Sequence, residues 1–225
     1  MEDLHLDERI MQFLSIANLM MKKSVDSDGK VTHYRAHHYS VIPLGPRSGL
    51  ISWVDGVTPI FSIYRKWQQR EAANPRKDKQ YVAMRPSELY YNKMTPLLKE
   101  HDLKPTDNRK EWPVSVQRRA FEELKAETPK ELLAAEFWCT ASTAAHWRNI
   151  VRNYSVSLAV MSVIGYVIGL GDRHLDNILV KLTSGEIIHI DYNVCFEKGK
   201  TLRVPEKVPF RMVSKNSDVI TFMTS

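Results

Sequence analysis

The sequence predicts an α+β fold in two lobes, a few strands followed by a mostly helical body. Three observations carry this. Two short β-branched and aromatic runs, "HYSVIPL" and "GLISWV", sit near the start. Helical periodicity then dominates from about residue 58 to residue 170. Finally "NILVKLTSGEIIHID" reads as a short hairpin turning around Thr183–Glu186.

"EDLHLDERIMQFLSIANLMMKK" comes first, with apolar residues at 10, 13, 14, 17 and 20–21, a helical period. Its acids precede its lysines, as the helix dipole favours. Residues 38–44 and 49–54, joined by "GPRS", are expected to pair as strands. "TPIFSIYRKWQQR" opens a helix with Thr58 as cap and Pro59 at the first helical position. Residues 71–85 lose periodicity and read as an exposed connection. Helices are expected at 87–99, 114–126 and 129–138, and a long one from about Thr143 to Leu170. No internal repeat or low-complexity tract interrupts the pattern.

The chain of 225 residues is long enough for one sizeable core or two small ones. With 43% hydrophobic and 26% charged residues, it has the composition of a soluble globular protein. A net charge of +6 favours an anionic partner without naming one. Much of that excess lies between Glu197 and Lys215, where six cations face two Glu. Cys139 and Cys195 form neither a disulfide framework nor a zinc spacing, so a reduced intracellular protein is the simplest reading. The acidic, polar N-terminus does not resemble a signal peptide. The apolar run 156–170 is shorter than the ~18–20 residues a bilayer crossing needs, and reads as a buried helix.

The chemistry concentrates in "GLGDRHLDNILV" (169–180) and "IIHIDYN" (187–193). Asp172, His174 and Asn177 lie on a loop between a buried helix and a strand, rigid at both ends. The hairpin can return Asp191 close to Asn177. An amide oxygen and a carboxylate converging there are suited to Mg²⁺, with water and phosphate completing the shell. Asp172 could accept a proton from a nucleophilic hydroxyl, and His174 could donate to a transferring phosphoryl group. The plain alternative is a polar network tying the loop to the hairpin. No H-x-x-x-H or C-x-x-C falls within 169–193 to support a zinc site there.

"GDRHLDN" and "HIDYN" resemble the catalytic loop and metal-binding motif of the phosphatidylinositol 3-kinase-related protein kinases. "EDLHLDERIMQFL", "HYSVIPLGPRSGLISWVDG", "RPSELYY" and "DYNVCFEKGKTLRVPEKVPFRM" extend the match over nearly the whole chain, except residues 71–85 and the last ten or so. The resemblance implies a bilobal protein-kinase-like catalytic domain: 1–54 a remnant of the N-lobe with an αC-type helix and hinge, 55–225 the helical C-lobe. The catalytic loop would be 169–177 and the activation segment 191–212.

By the same resemblance Asp172 is the catalytic base and His174 the phosphate-contacting partner, with Asn177 and Asp191 as Mg²⁺ ligands. Ile51, Ser52, Trp53 and Val54 would form the hinge to adenine, Trp53 packing on the ring. Tyr39 and Asp7 would lie near the pocket of the phosphate-binding lysine. Read from the residues alone, Trp53 and Tyr39 favour core packing instead. The cofactors implied are ATP and Mg²⁺, or Mn²⁺ in its place.

Within the family the match is to the branch acting in nonsense-mediated messenger RNA decay. That implies phosphorylation of the up-frameshift RNA helicase at Ser/Thr-Gln sites, and regulatory subunits of a decay kinase complex. It implies no direct nucleic-acid contact, no membrane, and a cytoplasmic location with the nucleus as a second compartment. The chain departs from the common kinase D-F-G pattern with Asp191-Tyr192-Asn193, a "DYN" that this branch shares. The family's phosphate loop and ATP-binding lysine would lie before Met1, and its final helices are not matched by "VSKNSDVITFMTS". The expectation is therefore a fragment whose parent is a kinase but which is inactive alone. Three rival readings are a lipid kinase gripping an inositol phosphate, a non-catalytic binding fragment, and an RNA-binding module. The singly spaced cations after Asp191 disfavour the first. Missing upstream residues favour the second, and no aromatic-basic reader motif supports the third.

Overall fold

The computed structural model describes residues 4–22, 34–45, 48–74, 84–108, 111–202 and 205–206. It divides into two compact units, residues 1–64 with 131–225, and residues 65–130. This division by packing cuts the chain differently from a lobe boundary at 54/55.

In the first unit, helix α1 (Leu4–Met21) buries Asp7, Ile10, Met11 and Leu14. These sit three and four apart, one stripe of a helix. The apolar periodicity points to 10, 13, 14, 17 and 20–21, yet Phe13 and Met20 are exposed. The buried stripe is rotated from the expected one and takes in Asp7 and Met11. Asn18 then fixes the chain entering the first sheet, its amide nitrogen donating to Ala36 O at 2.9 Å and its oxygen accepting Ala36 N–H at 2.8 Å.

Strands β1 (Val41–Gly45) and β2 (Ser48–Ile51) form an antiparallel hairpin pairing Val41 with Ile51. The second strand ends at Ile51, so Trp53 and Val54 lie beyond it rather than inside the expected 49–54 strand. Strands β3 (Thr58–Pro59), β4 (Ile178–Val180) and β5 (Ile187–His189) make a second, antiparallel sheet in that order. Here the cap expected at Thr58 and the helical start expected at Pro59 are corrected. Thr58 pairs with Val180 and Pro59 with Leu179. β3 lies at the sheet edge, where a proline without an N–H is tolerated. Helix α2 (Ile60–Ala72) starts one residue later, and its Phe61 N–H donates to Leu175 O at 3.1 Å.

The centre of this unit is helix α6 (Ala144–Val167), packed against α5 (Leu132–Thr140) and β5. Thr143 caps it by accepting His146 N–H at 3.1 Å. Tyr154 is wholly buried and meets Phe137 edge-on at 5.3 Å. Ser157 Oγ accepts the Ile187 N–H at 3.0 Å, tying the helix to β5. At 24 residues α6 is long and apolar enough to cross a membrane by length and composition, and half of its most apolar window is buried.

The helix stops before Leu170 because Gly169 takes a left-handed φ of 56°. Leu170 N–H then donates to Gly165 O at 2.8 Å and Gly169 N–H to Tyr166 O at 3.2 Å. These are the paired bonds of a Schellman stop. The catalytic-loop motif begins directly after it.

The second unit pairs α3 (Pro86–Lys99) with α4 (Val114–Glu127). Met94, Leu97 and Leu98 pack with Trp112, Val116 and Ala120 as its core. Of the connection expected at 71–85, residues 71–72 are helical and 75–83 lie outside the described residues. Helix α5 begins at Leu132, three residues later than the expected 129.

Candidate active site

The loop 169–177 is held from inside by Arg173, which is buried. Its Nε donates to Gly171 O at 2.9 Å and its Nη1 to Ile190 O at 2.7 Å. Nη1 also reaches Asn177 O at 3.4 Å, and Nη2 donates to Asp191 O. One planar guanidinium thus joins both ends of the loop to the chain leaving β5. The Tyr192 ring lies under it, 5.8 Å from the guanidinium carbon to the ring centroid. Burial lowers the Arg173 pKa from its ordinary value, with nearby Tyr192 and Asp191 opposing.

Around that frame the motif residues take defined places. Asn177 is buried, donates its amide N–H to Asp172 O at 3.0 Å, and accepts Ile190 N–H on its own carbonyl at 3.2 Å. Its side-chain oxygen is thereby the free end of the amide, with no described protein donor. Asp191 follows the paired strand end, accepts Asn193 N–H on Oδ1 at 3.2 Å, and has φ 58°. Asp172 is also left-handed, at φ 53°. Both strained aspartates occur where the loop and the strand end meet, as is common at working sites.

His174 is half exposed, and its Nδ1 accepts Asp176 N–H at 3.3 Å. In the neutral ring this puts the proton on Nε2, leaving a donor free. Asn177 and Asp191 together offer one amide and one carboxylate oxygen, a hard donor set that fits Mg²⁺. Among the described residues no group of three His, Cys, Asp or Glu could hold a metal by itself. A two-residue set of this kind suits an ion that keeps water and takes phosphate oxygens.

The remaining expected residues divide. Asp7 reaches the site from α1, its Oδ1 accepting Tyr192 N–H at 3.3 Å. Tyr39 is partly buried nearby; its N–H donates to Met11 Sδ at 3.4 Å, and burial and then Asp7 push its hydroxyl pKa above the ordinary range. Trp53 is 87% exposed and Ile51 is 56% exposed, so the core-packing alternative for Trp53 is overturned. Ser52 N–H is already committed to Ser40 O at 2.8 Å. Backbone recognition by the 51–54 segment would therefore rest on its neighbours rather than on Ser52. Residues 203–204 and 207–212 of the expected activation segment lie outside the described residues.

Two residues went unassigned in the sequence reading. Arg173 stood inside the motif without a role, and its signal was a buried-context cation between two polar site residues. Glu206 accepts the Asp172 N–H on Oε1 at 2.9 Å. Its signal is that it is one of only two acids in a cationic segment.

Residues 1–224 match the family model "Phosphatidylinositol 3- and 4-kinase". The Serine/threonine-protein kinase Smg1 of Drosophila melanogaster is 61% identical over 216 residues, covering 94% of this chain and 7% of that protein. Its namesake in Danio rerio is 56% identical over 221 residues, covering 94% and 6%. The chain thus spans less than a tenth of the length of these relatives. Among solved structures, the "FAT and kinase domain of CtTel1" superposes with a TM-score of 0.74 at 27% identity, covering 97% of this chain and 14% of that one. The fold is accordingly the α+β kinase type expected from the sequence. Motif, frame and relatives agree, and the chain belongs to the phosphatidylinositol 3- and 4-kinase family, with the related protein kinases that include Smg1.

Proposed function

We propose that this chain is the catalytic-loop portion of a Ser/Thr protein kinase that transfers the γ-phosphate of ATP to Ser/Thr-Gln sites. The observation that carries this reading is the buried Arg173 frame. It ties the loop bearing Asp172 and Asn177 to the strand end bearing Asp191. Phosphoryl transfer needs positioning and charge stabilisation more than covalent chemistry from the protein, and a rigid frame supplies the positioning. Asp172 accepts the proton of the attacking hydroxyl. His174, with Nδ1 occupied by Asp176 N–H, donates from Nε2 to the transferring group. Asn177 and Asp191 would hold Mg²⁺, which when bound would neutralise charge on the nucleotide phosphates. Exposed Trp53 covers the adenine face, with Ile51 and Val54 beside it, and Tyr39 and Asp7 back the phosphate end.

The finer reading follows the identity to Smg1 kinases. Under it the substrate is the up-frameshift RNA helicase of nonsense-mediated decay. The kinase works with regulatory subunits in the cytoplasm and nucleus, without nucleic-acid or membrane contact.

The test uses the full-length kinase that carries this segment. Labelling by ATP is measured side by side on a Ser/Thr-Gln peptide and on phosphatidylinositol, for wild type, Asp172→Asn and Asp191→Ala. Peptide labelling in wild type and less than about a hundredth of it in both variants is expected. Lipid turnover without peptide labelling would make this a lipid kinase. Absence of any transfer by wild type would leave a binding module.

A further inference from the structure

We propose that Glu206 is a positioning residue that holds Asp172 in its working conformation, coupling the activation segment to the catalytic loop. This rests on the reading of Asp172 as the base. Asp172 adopts φ 53°, a backbone state that a non-glycine residue keeps only when its surroundings hold it. Two bonds do so from opposite sides. Asn177 Nδ2 donates to its carbonyl at 3.0 Å, and its own N–H donates to Glu206 Oε1 at 2.9 Å. The second is a bond to an ionised acceptor, stronger than one between neutral groups.

The rest of the Glu206 carboxylate is seated on glycine. A Cβ at Gly199 would lie 2.6 Å from Oε2, and one at Gly171 would collide with the same atom. Gly171 N–H meanwhile donates to Val194 O at 2.7 Å, pinning the loop to the residues after Asp191. Glu206 N–H returns to Gly199 O at 3.0 Å, tying its own backbone to Gly199. Displacement of Glu206 must therefore pull on Asp172. That makes the activation segment a control on the base, acting through the backbone and not through substrate contact.

The experiment compares Glu206→Ala, Glu206→Gln and Asp172→Asn in the full-length kinase, measuring kcat, KM for ATP and the melting temperature. Glutamine keeps an oxygen that can accept the Asp172 N–H, and alanine does not. Glu206→Ala should lower kcat by about 10–100-fold, the scale of a displaced catalytic group, with KM for ATP within about twofold. Glu206→Gln should recover most of the loss. Equal loss in both variants would overturn the proposal, because it would mean the charge itself is needed elsewhere. A folded Glu206→Ala with wild-type kcat would also overturn it. Should the alanine variant not fold, the glutamine variant decides: near wild-type kcat supports the role and a tenfold loss refutes it. Asp172→Asn separates the two ideas. Full activity in that variant would refute Asp172 as base, whereas its inactivity beside an active Glu206→Ala would refute only the positioning role.

Discussion

Asp7 Oδ1 accepts the backbone N–H of Tyr192 at 3.3 Å, a bond that spans 185 positions of the chain. It fastens helix α1 to the residue directly after Asp191, so the geometry of the candidate metal ligand depends on a helix far away in sequence. Tyr192 itself is fully buried. Replacing Asp7 by Ala should orphan a buried amide and cost about 1–3 kcal/mol. Asp7→Asn, which keeps an acceptor, should cost less. Urea unfolding of the two variants measures the difference.

Arg173→Lys is expected to be far from conservative. An ammonium cannot reach the four carbonyls that the guanidinium spans. Leaving two or more buried carbonyls unpaired should destabilise by about 3 kcal/mol or more. The check is a thermal melt run alongside peptide phosphorylation, with both readouts falling.

His189 gives a pH signature. Burial, with Arg173 nearby, lowers its pKa from 6.5 to about 3, and its Nδ1 has no partner among the described residues. The folded value lies below the unfolded one, so the stability contribution is fully present above pH 6.5. It is lost as pH falls from there toward about 3, by roughly 1.4 kcal/mol per unit. His189→Phe should flatten that stretch of the stability–pH curve. Denaturant midpoints at pH 7 and pH 4.5 for both proteins are the measurement. An unchanged slope in the variant would be the contrary result.

Ser157→Ala should remove the acceptor for the Ile187 N–H and loosen β5 from α6. A cost of about 1–3 kcal/mol is expected, with hydrogen exchange at Ile187 rising more than at Val180 on the neighbouring strand.

Trp53→Ala offers the opposite pattern. Because this indole is 87% exposed, its loss should leave the melting temperature within about a degree, since surface changes rarely exceed ~0.5 kcal/mol. If it covers adenine, KM for ATP should rise several-fold. Unchanged KM for ATP in the variant would refute the adenine contact.

Local pattern determined much of this protein. Periodicity marked α1, α3, α4 and α6, because an amphipathic stripe is written in residues three and four apart. The order Asp172, His174, Asn177, Asp191 on a loop and a hairpin end was legible for the same reason, being only 20 residues long. Tertiary structure decided the rest. Thr58 and Pro59 read as a helix start, but pairing with Leu179 and Val180 made them an edge strand. Nothing near them in sequence announces that partner. Phe13 was left in solvent, though its spacing matched the apolar stripe, because the face packed inward runs through Asp7, Ile10, Met11 and Leu14. Arg173, Asp7 and Glu206 could not be assigned their partners from spacing. A hydrogen bond joins whichever groups the fold brings within about 3 Å, and their partners lie 18, 185 and 34 positions away.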